Sequence, residues 1–195
     1  MRILYLGLFL LFVRPTLADV VSCKDKVSFA KEISLQISGH AQVDLLLNGV
    51  GLRKMFFVSV FYGGLYLENP SQNGDGIIAS SETKAMTLEL LRNIPRKRLV
   101  DEWDREYQRL CGTQCNKLRH FHEKFTSYAR DFKKGERMTV VFLKDRVDFI
   151  TGTDEVYDPI PSGAYGKIML RSSIGREPAS QGFKKGALGL KQECR

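Results

Sequence analysis

Four cysteines, three histidines and a scatter of charged side chains carry the chemistry open to this chain. Cys111 and Cys115 form a C-x3-C pair, and His120 and His122 follow a few residues later. Zinc sites usually combine two such pairs. No second pair matches this one, and on a helix residues two apart face different directions, so no metal site is expected. Cys23 and Cys194 lie near the two ends of the chain. Four cysteines allow three pairings, and sequence does not choose among them; a bridge from Cys23 to Cys194 would leave Cys111 to pair with Cys115. Arg96, Lys97 and Arg98 put positive charge at a helix start, where it opposes the macrodipole, and read as an exposed run rather than an anion site. Asp101, Glu102, Asp104 and Glu106 read as a solvated face, not a paired catalytic set. A Gly-rich phosphate loop, Gly-x-Ser-x-Gly, His-Glu-x-x-His and the EF-hand pattern are all missing. Kinases, dinucleotide enzymes, ordinary serine hydrolases and zincins are therefore poor readings, and no cofactor is expected.

The length of 195 residues suits one domain. With 43% hydrophobic and 27% charged residues the composition is globular. Thirty basic residues against 22 acidic give +8, which permits nucleic acid or anionic lipid as a partner without requiring either. The two signs are interleaved and no nucleic-acid motif occurs, so no nucleic-acid partner is expected. Arg2, the apolar run Ile3 to Val13 and Ala18 follow the pattern of a secretory signal peptide. The run falls short of the ~20 residues of a spanning helix. Residues 1–18 are read as this signal peptide and 19–195 as the domain, exported across the inner membrane to the periplasm. Removing Arg2 and Arg14 leaves 28 basic residues against 22 acidic, +6. Val20-Val21-Ser22-Cys23 also looks like a lipobox, but Arg14, Pro15 and Asp19 separate it from the apolar run. Membrane contact is expected only through the leader or such a lipid anchor. Export makes disulfides chemically reasonable.

The elements that must position these residues follow from periodicity. Asp19 to Gly39 is mixed and polar, a short strand or loop. Val43 to Leu47 reads as a strand, Asn48-Gly49 as a turn, and Leu52 to Leu67 as one long strand rich in aromatic and β-branched residues. In that strand Gly63-Gly64 marks a bulge or a close approach to the backbone. One helical turn near Ile77 and a strand over Lys84 to Leu91 follow. Leu99, Val100, Trp103, Tyr107 and Leu110 fall at helical spacing, as do Leu118, Phe121, Phe125 and Tyr128. Trp103 and Tyr107 read first as core contacts. Met138 to Leu143 and Arg146 to Thr151 form a hairpin, Ser162 caps a helix, and a last helix opens at Pro178. Strands, helices, strands, helices in that order predict an α+β fold, an antiparallel sheet with its helices on one face.

The segment Leu47-Asn48-Gly49-Val50-Gly51-Leu52-Arg53, running into Gly64-Leu65-Tyr66-Leu67, resembles the chalcone isomerase family, in particular its exported bacterial chalcone isomerase-like members. There an "LNG-x-G-x-R" turn precedes a long strand ending in "GLYL". Leu90-Leu91-Arg92-Asn93-Ile94 is similar to the family's "LRDV" step, Lys133-Lys134-Gly135-Glu136 to its "KKGD" turn, and Gly175, Pro178 and Lys184 to Gly189 to its C-terminal "G-x-x-P…KKALLG". The likeness spans about residues 43–189. It implies an open-faced β-sandwich, a large antiparallel sheet covered by a layer of helices.

The family reaction adds a phenolate oxygen across an enone within one molecule. A guanidinium suits the phenolate, and hydroxyl or ammonium donors suit the developing enolate. Arg53 matches the family's active-site arginine. Where plant enzymes have a threonine further along that strand, this chain has Phe61; their tyrosine has no counterpart in Pro95 to Val100, and their asparagine none in Val100 to Trp103. The resemblance therefore implies a binder of a small apolar carboxylate such as a fatty acid, as in non-catalytic plant relatives. Arg53 would grip the anion, with Phe57, Phe61 and Arg92 lining the cleft. The alternatives are an isomerase with Tyr62 or Tyr66 as substitute donor, and a structural or protein-interaction role.

Overall fold

A run of β-branched and aromatic residues from Val43 to Leu67 builds the centre of the sheet. In the computed structural model, residues 13–14, 19–37, 42–152 and 156–195 are described. The leader expected over residues 1–18 lies outside them, apart from the backbone of Val13–Arg14. The run forms two strands, β5 (Val43–Met55) and β6 (Val58–Leu67), paired antiparallel. Asn48-Gly49 is not a turn, contrary to expectation. Leu47 pairs with Tyr66 and Gly49 with Leu65, so Asn48 is the extra residue of a β-bulge. The expected single strand from Leu52 to Leu67 is instead broken at Phe56-Phe57, where the chain reverses. That turn carries no turn residue to announce it, and Phe56 takes a φ of 53°, uncommon for a side chain of that size.

Outside this pair come β4 (Glu32–Leu35), β7 (Lys84–Leu90), β8 (Arg137–Phe142) and β9 (Val147–Thr151). With the two residues Val13–Arg14 as β1, the order is β1-β4-β5-β6-β7-β8-β9, antiparallel throughout. In a chain cleaved after Ala18, β4 would be the edge. The sheet curls into a half-barrel: Ile33 and Leu35 of β4 share a buried cluster with Ile150 of β9, at the far end of the strand order. A hairpin of β2 (Val20–Ser22) and β3 (Ser28–Ala30) also covers this face, so the expected short strand or loop before Gly39 is three strands. Phe29 rests on Gly64, where a side chain would displace its ring. Gly63-Gly64 is thus a close approach, with no bulge between β6 and β7.

The other face carries the larger core. It is covered by α2 (Arg96–Leu110), α3 (Cys115–Ser127), α4 (Gly163–Ile174) and α5 (Gln181–Ala187), with the short α1 (Gly74–Ala79) at one side. Ser162 caps α4 as expected, accepting from the Tyr165 N–H. Helix α2 has no cap of its own; Asp131 accepts from the Arg96 N–H at 2.7 Å. The tightest contact is that of α5 on β5. A methyl at Gly49 would overlap the Gly186 carbonyl, one at Gly51 the Phe183 carbonyl, and one at Gly186 the Val50 carbonyl. Asn48, freed by the bulge, donates to the Ala187 carbonyl at 2.9 Å and accepts from the Ser71 N–H at 2.7 Å. The two most family-like stretches of sequence are therefore the two halves of one contact.

Cys23 is bonded to Cys194 and Cys111 to Cys115. The first bridge is backed by paired backbone bonds between Ser22 and Arg195. It occupies the sulfur that a lipid anchor at Cys23 would need. Gly49→Ala should destabilise by at least about 2 kcal/mol, since its contacts are backbone and cannot give way; denaturant midpoints measure it. Loss of the Cys23–Cys194 bridge, which spans 171 residues, should cost on the order of 5 kcal/mol in the chain-entropy view, against about 2 kcal/mol for the Cys111–Cys115 bridge. Cys→Ser double variants compared by urea unfolding test the order.

Candidate functional site

Between the sheet and its helices lies a cavity of about 190 Å³, walled mostly by apolar side chains. Its floor is the inward face of β6 to β9, where Phe61, Leu88, Val140 and Phe149 stand; its roof includes Trp103, Phe125, Ile168 and Phe183. A two-residue side-chain period along the strands and a helical period in the cover aim these residues at one another. Phe61 meets Phe183 edge-on, ring centres 5.6 Å apart, and Trp103 lies 4.3 Å from Phe125. Trp103 and Tyr107 are core contacts, as expected, and also cavity wall.

Arg53 stands at one end. It pairs across the hairpin with Phe61, so the two share a face. Its side chain is 15% exposed. One terminal nitrogen donates to the Ala179 carbonyl just before α5, and the other to a Glu102 oxygen at 2.9 Å. Glu102 also holds Arg105. Two bonds leave guanidinium N–H groups in hand, since the group has five. A desolvated pair of this kind is weak evidence for stability, and it fixes the guanidinium at the cavity. The acidic stretch of α2 is thus not simply solvated: Glu102 turns to Arg53, and Asp104, though exposed, is bound to His122 of α3.

A second polar group lines the cavity where α3 packs against Tyr107 of α2. His122 is buried and stacked on Tyr107, ring centres 4.1 Å apart and 6° between planes. Its Nδ1 lies 3.0 Å from the Tyr165 hydroxyl and its Nε2 2.7 Å from Asp104. Burial holds the His122 pKa below the ordinary imidazole value against the opposing pull of Asp104. Burial also raises Tyr165 well above the usual phenol range. The pair is then neutral: Tyr165 donates to Nδ1, and Nε2–H donates to Asp104. Sequence reasoning missed this relay; the only signal was a histidine on the apolar side of α3.

Of the residues expected to line the cleft, Arg53 and Phe61 do so. Phe57 does not. It is 99% exposed at the hairpin tip, because the long strand expected over Leu52 to Leu67 turns there. Arg92 is exposed beyond the end of β7 and is not part of the cavity wall. Tyr62 and Tyr66, the substitute donors, pack in clusters on the opposite face. No group of three or more potential metal ligands occurs among the described residues.

A family model described as chalcone isomerase-like matches residues 24–189. Among solved structures, the crystal structure of a fatty-acid binding protein of Arabidopsis thaliana aligns with a TM-score of 0.65 and 15% identity, over 87% of this chain and 96% of that one. At that identity the likeness is one of fold. No curated protein matches the chain.

Because the folded His122 resists protonation, the unfolded chain takes up its proton first as pH falls through about 6.5. The stability this residue contributes is present above that pH and is lost below it, down to the lower folded pKa. Melting temperature should fall over that range, and His122→Gln should flatten the slope; parallel scans of the two proteins check it.

Proposed function

The chain belongs to the chalcone isomerase-like family, and from that premise we propose that it is an exported, non-catalytic binder of a small apolar carboxylate such as a fatty acid, gripped by Arg53. One observation carries the reading: an apolar cavity has a single guanidinium, nearly buried and already oriented, at one end. A ligand carboxylate has two routes to it. It can take the guanidinium N–H groups that remain, or exchange with Glu102, which leaves toward Arg105. Either gives charge-assisted bonds in a setting of low dielectric. Phe61 and Phe183 fill the space beside the guanidinium with rings, which favours an alkyl or aryl chain over an oxygen-rich polyphenol. The Arabidopsis neighbour is a fatty-acid binding protein, and that supports the ligand class. Two disulfides support export, since such bonds persist in oxidising compartments.

Size refines the ligand. About 190 Å³ is closer to the ~150 Å³ that holds benzene in an engineered core than to the ~300–1,000 Å³ of common ligand pockets. The closed form suits a short-chain or aryl acid, and a long acyl chain needs the helical cover to part. Denaturant extracts of the purified protein should contain an apolar acid detectable by mass spectrometry, and added short-chain or aryl acids should raise the melting temperature. Arg53→Ala should lose at least about tenfold in affinity. Empty extracts together with no thermal shift for any acid would overturn the proposal.

An isomerase is the second reading, favoured only by the Tyr165 hydroxyl in the cavity wall. A panel of hydroxychalcones cyclising no faster than in buffer removes it.

A further inference from the structure

The tip of the β5–β6 hairpin is the least protected apolar feature among the described residues. Phe56 is 95% exposed, Phe57 99% and Val58 44%. Two adjacent phenylalanines fully in water at a two-residue turn are unfavourable, and Phe56 sits there at a positive φ besides. Backbone strain at an exposed apolar tip is a reason to look for function. The tip does not stand alone. Leu91 N–H bonds to the Val60 carbonyl, which sets Arg92 beside the base of the hairpin. Gly135 N–H bonds to the Leu90 carbonyl and Lys134 N–H to Asn93, which sets the Lys133-Lys134 turn next to it. The start of α2 follows directly, with Arg98 in its first turn.

The charges at this end are one-sided. The side chains of Lys54, Arg92, Arg98, Lys133 and Lys134 are exposed and have no hydrogen-bond or ion-pair partner among the described residues. The acids nearby are engaged: Asp101 with Lys97, Asp131 with the Arg96 N–H, Glu136 with Arg130. On the opposite face Asp25 lies between Lys24 and Lys26 and adds no net negative charge.

We propose that this end of the sheet is a docking surface for an anionic lipid bilayer, with Phe56 and Phe57 inserted among the acyl chains and the five free cations against the headgroups. The charge complementarity selects the lipid, since basic side chains near an anionic surface add binding energy each. The shape selects a bilayer over a protein. A narrow convex tip of two aromatic residues offers far less than the ~800 Å² per partner of a standard protein interface, whereas aromatic and basic residues together are the usual anchors of the membrane interface. No helix among the described residues is long and apolar enough to cross a membrane, so this contact is peripheral. It is a second kind of membrane contact, separate from the leader. Arg53, three residues from Phe56 and so about 10 Å along the strand, stands just inside the tip. Docking therefore holds the charged end of the cavity at the lipid surface, but it does not depend on what the cavity holds.

Vesicle sedimentation tests the proposal. The full chain and a variant with Phe56→Asn and Phe57→Ser share one N terminus, so any contribution of residues 1–18 cancels. Asparagine tolerates the positive φ, and an unchanged melting temperature shows that the variant is folded. The wild-type chain should sediment with vesicles containing phosphatidylglycerol, less with pure phosphatidylcholine, and less at high salt. The tip variant should lose at least about 100-fold in affinity. Arg92→Gln with Lys133→Gln and Lys134→Gln should lower binding to the anionic vesicles and reduce its salt dependence, since Lys54 and Arg98 remain. Arg53→Ala should bind vesicles as wild type, which separates this proposal from that of the cavity ligand. A wild-type chain that stays in the supernatant, a tip variant that sediments equally, or self-association through the tip without vesicles would each overturn it.

Discussion

The close approach of α5 to β5 is the contact on which the site depends. Strand and helix meet backbone to backbone because Gly49, Gly51 and Gly186 have no side chains to hold them apart. The bulge at Asn48 adds a side-chain amide that binds the helix end at Ala187. Seated there, α5 delivers two things to the cavity: the ring of Phe183 and, from the residue before its cap, the carbonyl of Ala179. Were the helix lifted by one methyl group, Arg53 would lose a partner and the cavity a wall. Glycines in a strand are destabilising in isolation; here their smallness is the specification.

Around that contact the cavity is built as an apolar space with its polar groups already satisfied. No buried side-chain nitrogen or oxygen is left without a partner among the described residues. Arg53 is held by Glu102 and Ala179, His122 by Asp104 and Tyr165, and the Tyr107 hydroxyl by the Cys115 carbonyl. Such satisfaction stabilises the site. Beside the guanidinium and Glu102, the wall of the cavity is mostly apolar. Phe61 and Phe183 meet edge-on there. The Cys111–Cys115 bridge ties the end of α2 to the start of α3 and so holds Tyr107 and His122 in their stack.

One hairpin serves both the interior and the surface. Its base carries Arg53 into the cavity, and its tip carries Phe56 and Phe57 out into solvent. A strand pair is stiff enough to set the two about 10 Å apart along one axis. Site and tip are thereby placed in a constant relation, with the basic corners of Arg92 and Lys133-Lys134 alongside.

Much of this architecture could be read from local signals. The periodicity of Leu99, Trp103 and Tyr107 marked α2, Ser162 marked the cap of α4, and the alternation over Met138 to Thr151 marked a hairpin. The order of elements and the glycine-containing motifs marked the fold, and Arg53 and Phe61 the cavity. These features are local because hydrophobic period, caps and short motifs act within a few residues. What they left undetermined was nonlocal. Asn48-Gly49 has the composition of a turn, and only the partner strand and α5 make it a bulge. Phe56-Phe57 has the composition of a strand, and only the pairing of Met55 with Val58 makes it a turn. That one shift sent Phe57 out of the cleft. Glu102, Asp104, His122 and Tyr165 lie on three helices, and their joining is a consequence of how those helices stack on the sheet. Sequence spacing encodes which residues share an element's face; which faces meet is decided by packing, where the fit of whole surfaces outweighs any residue's own preference.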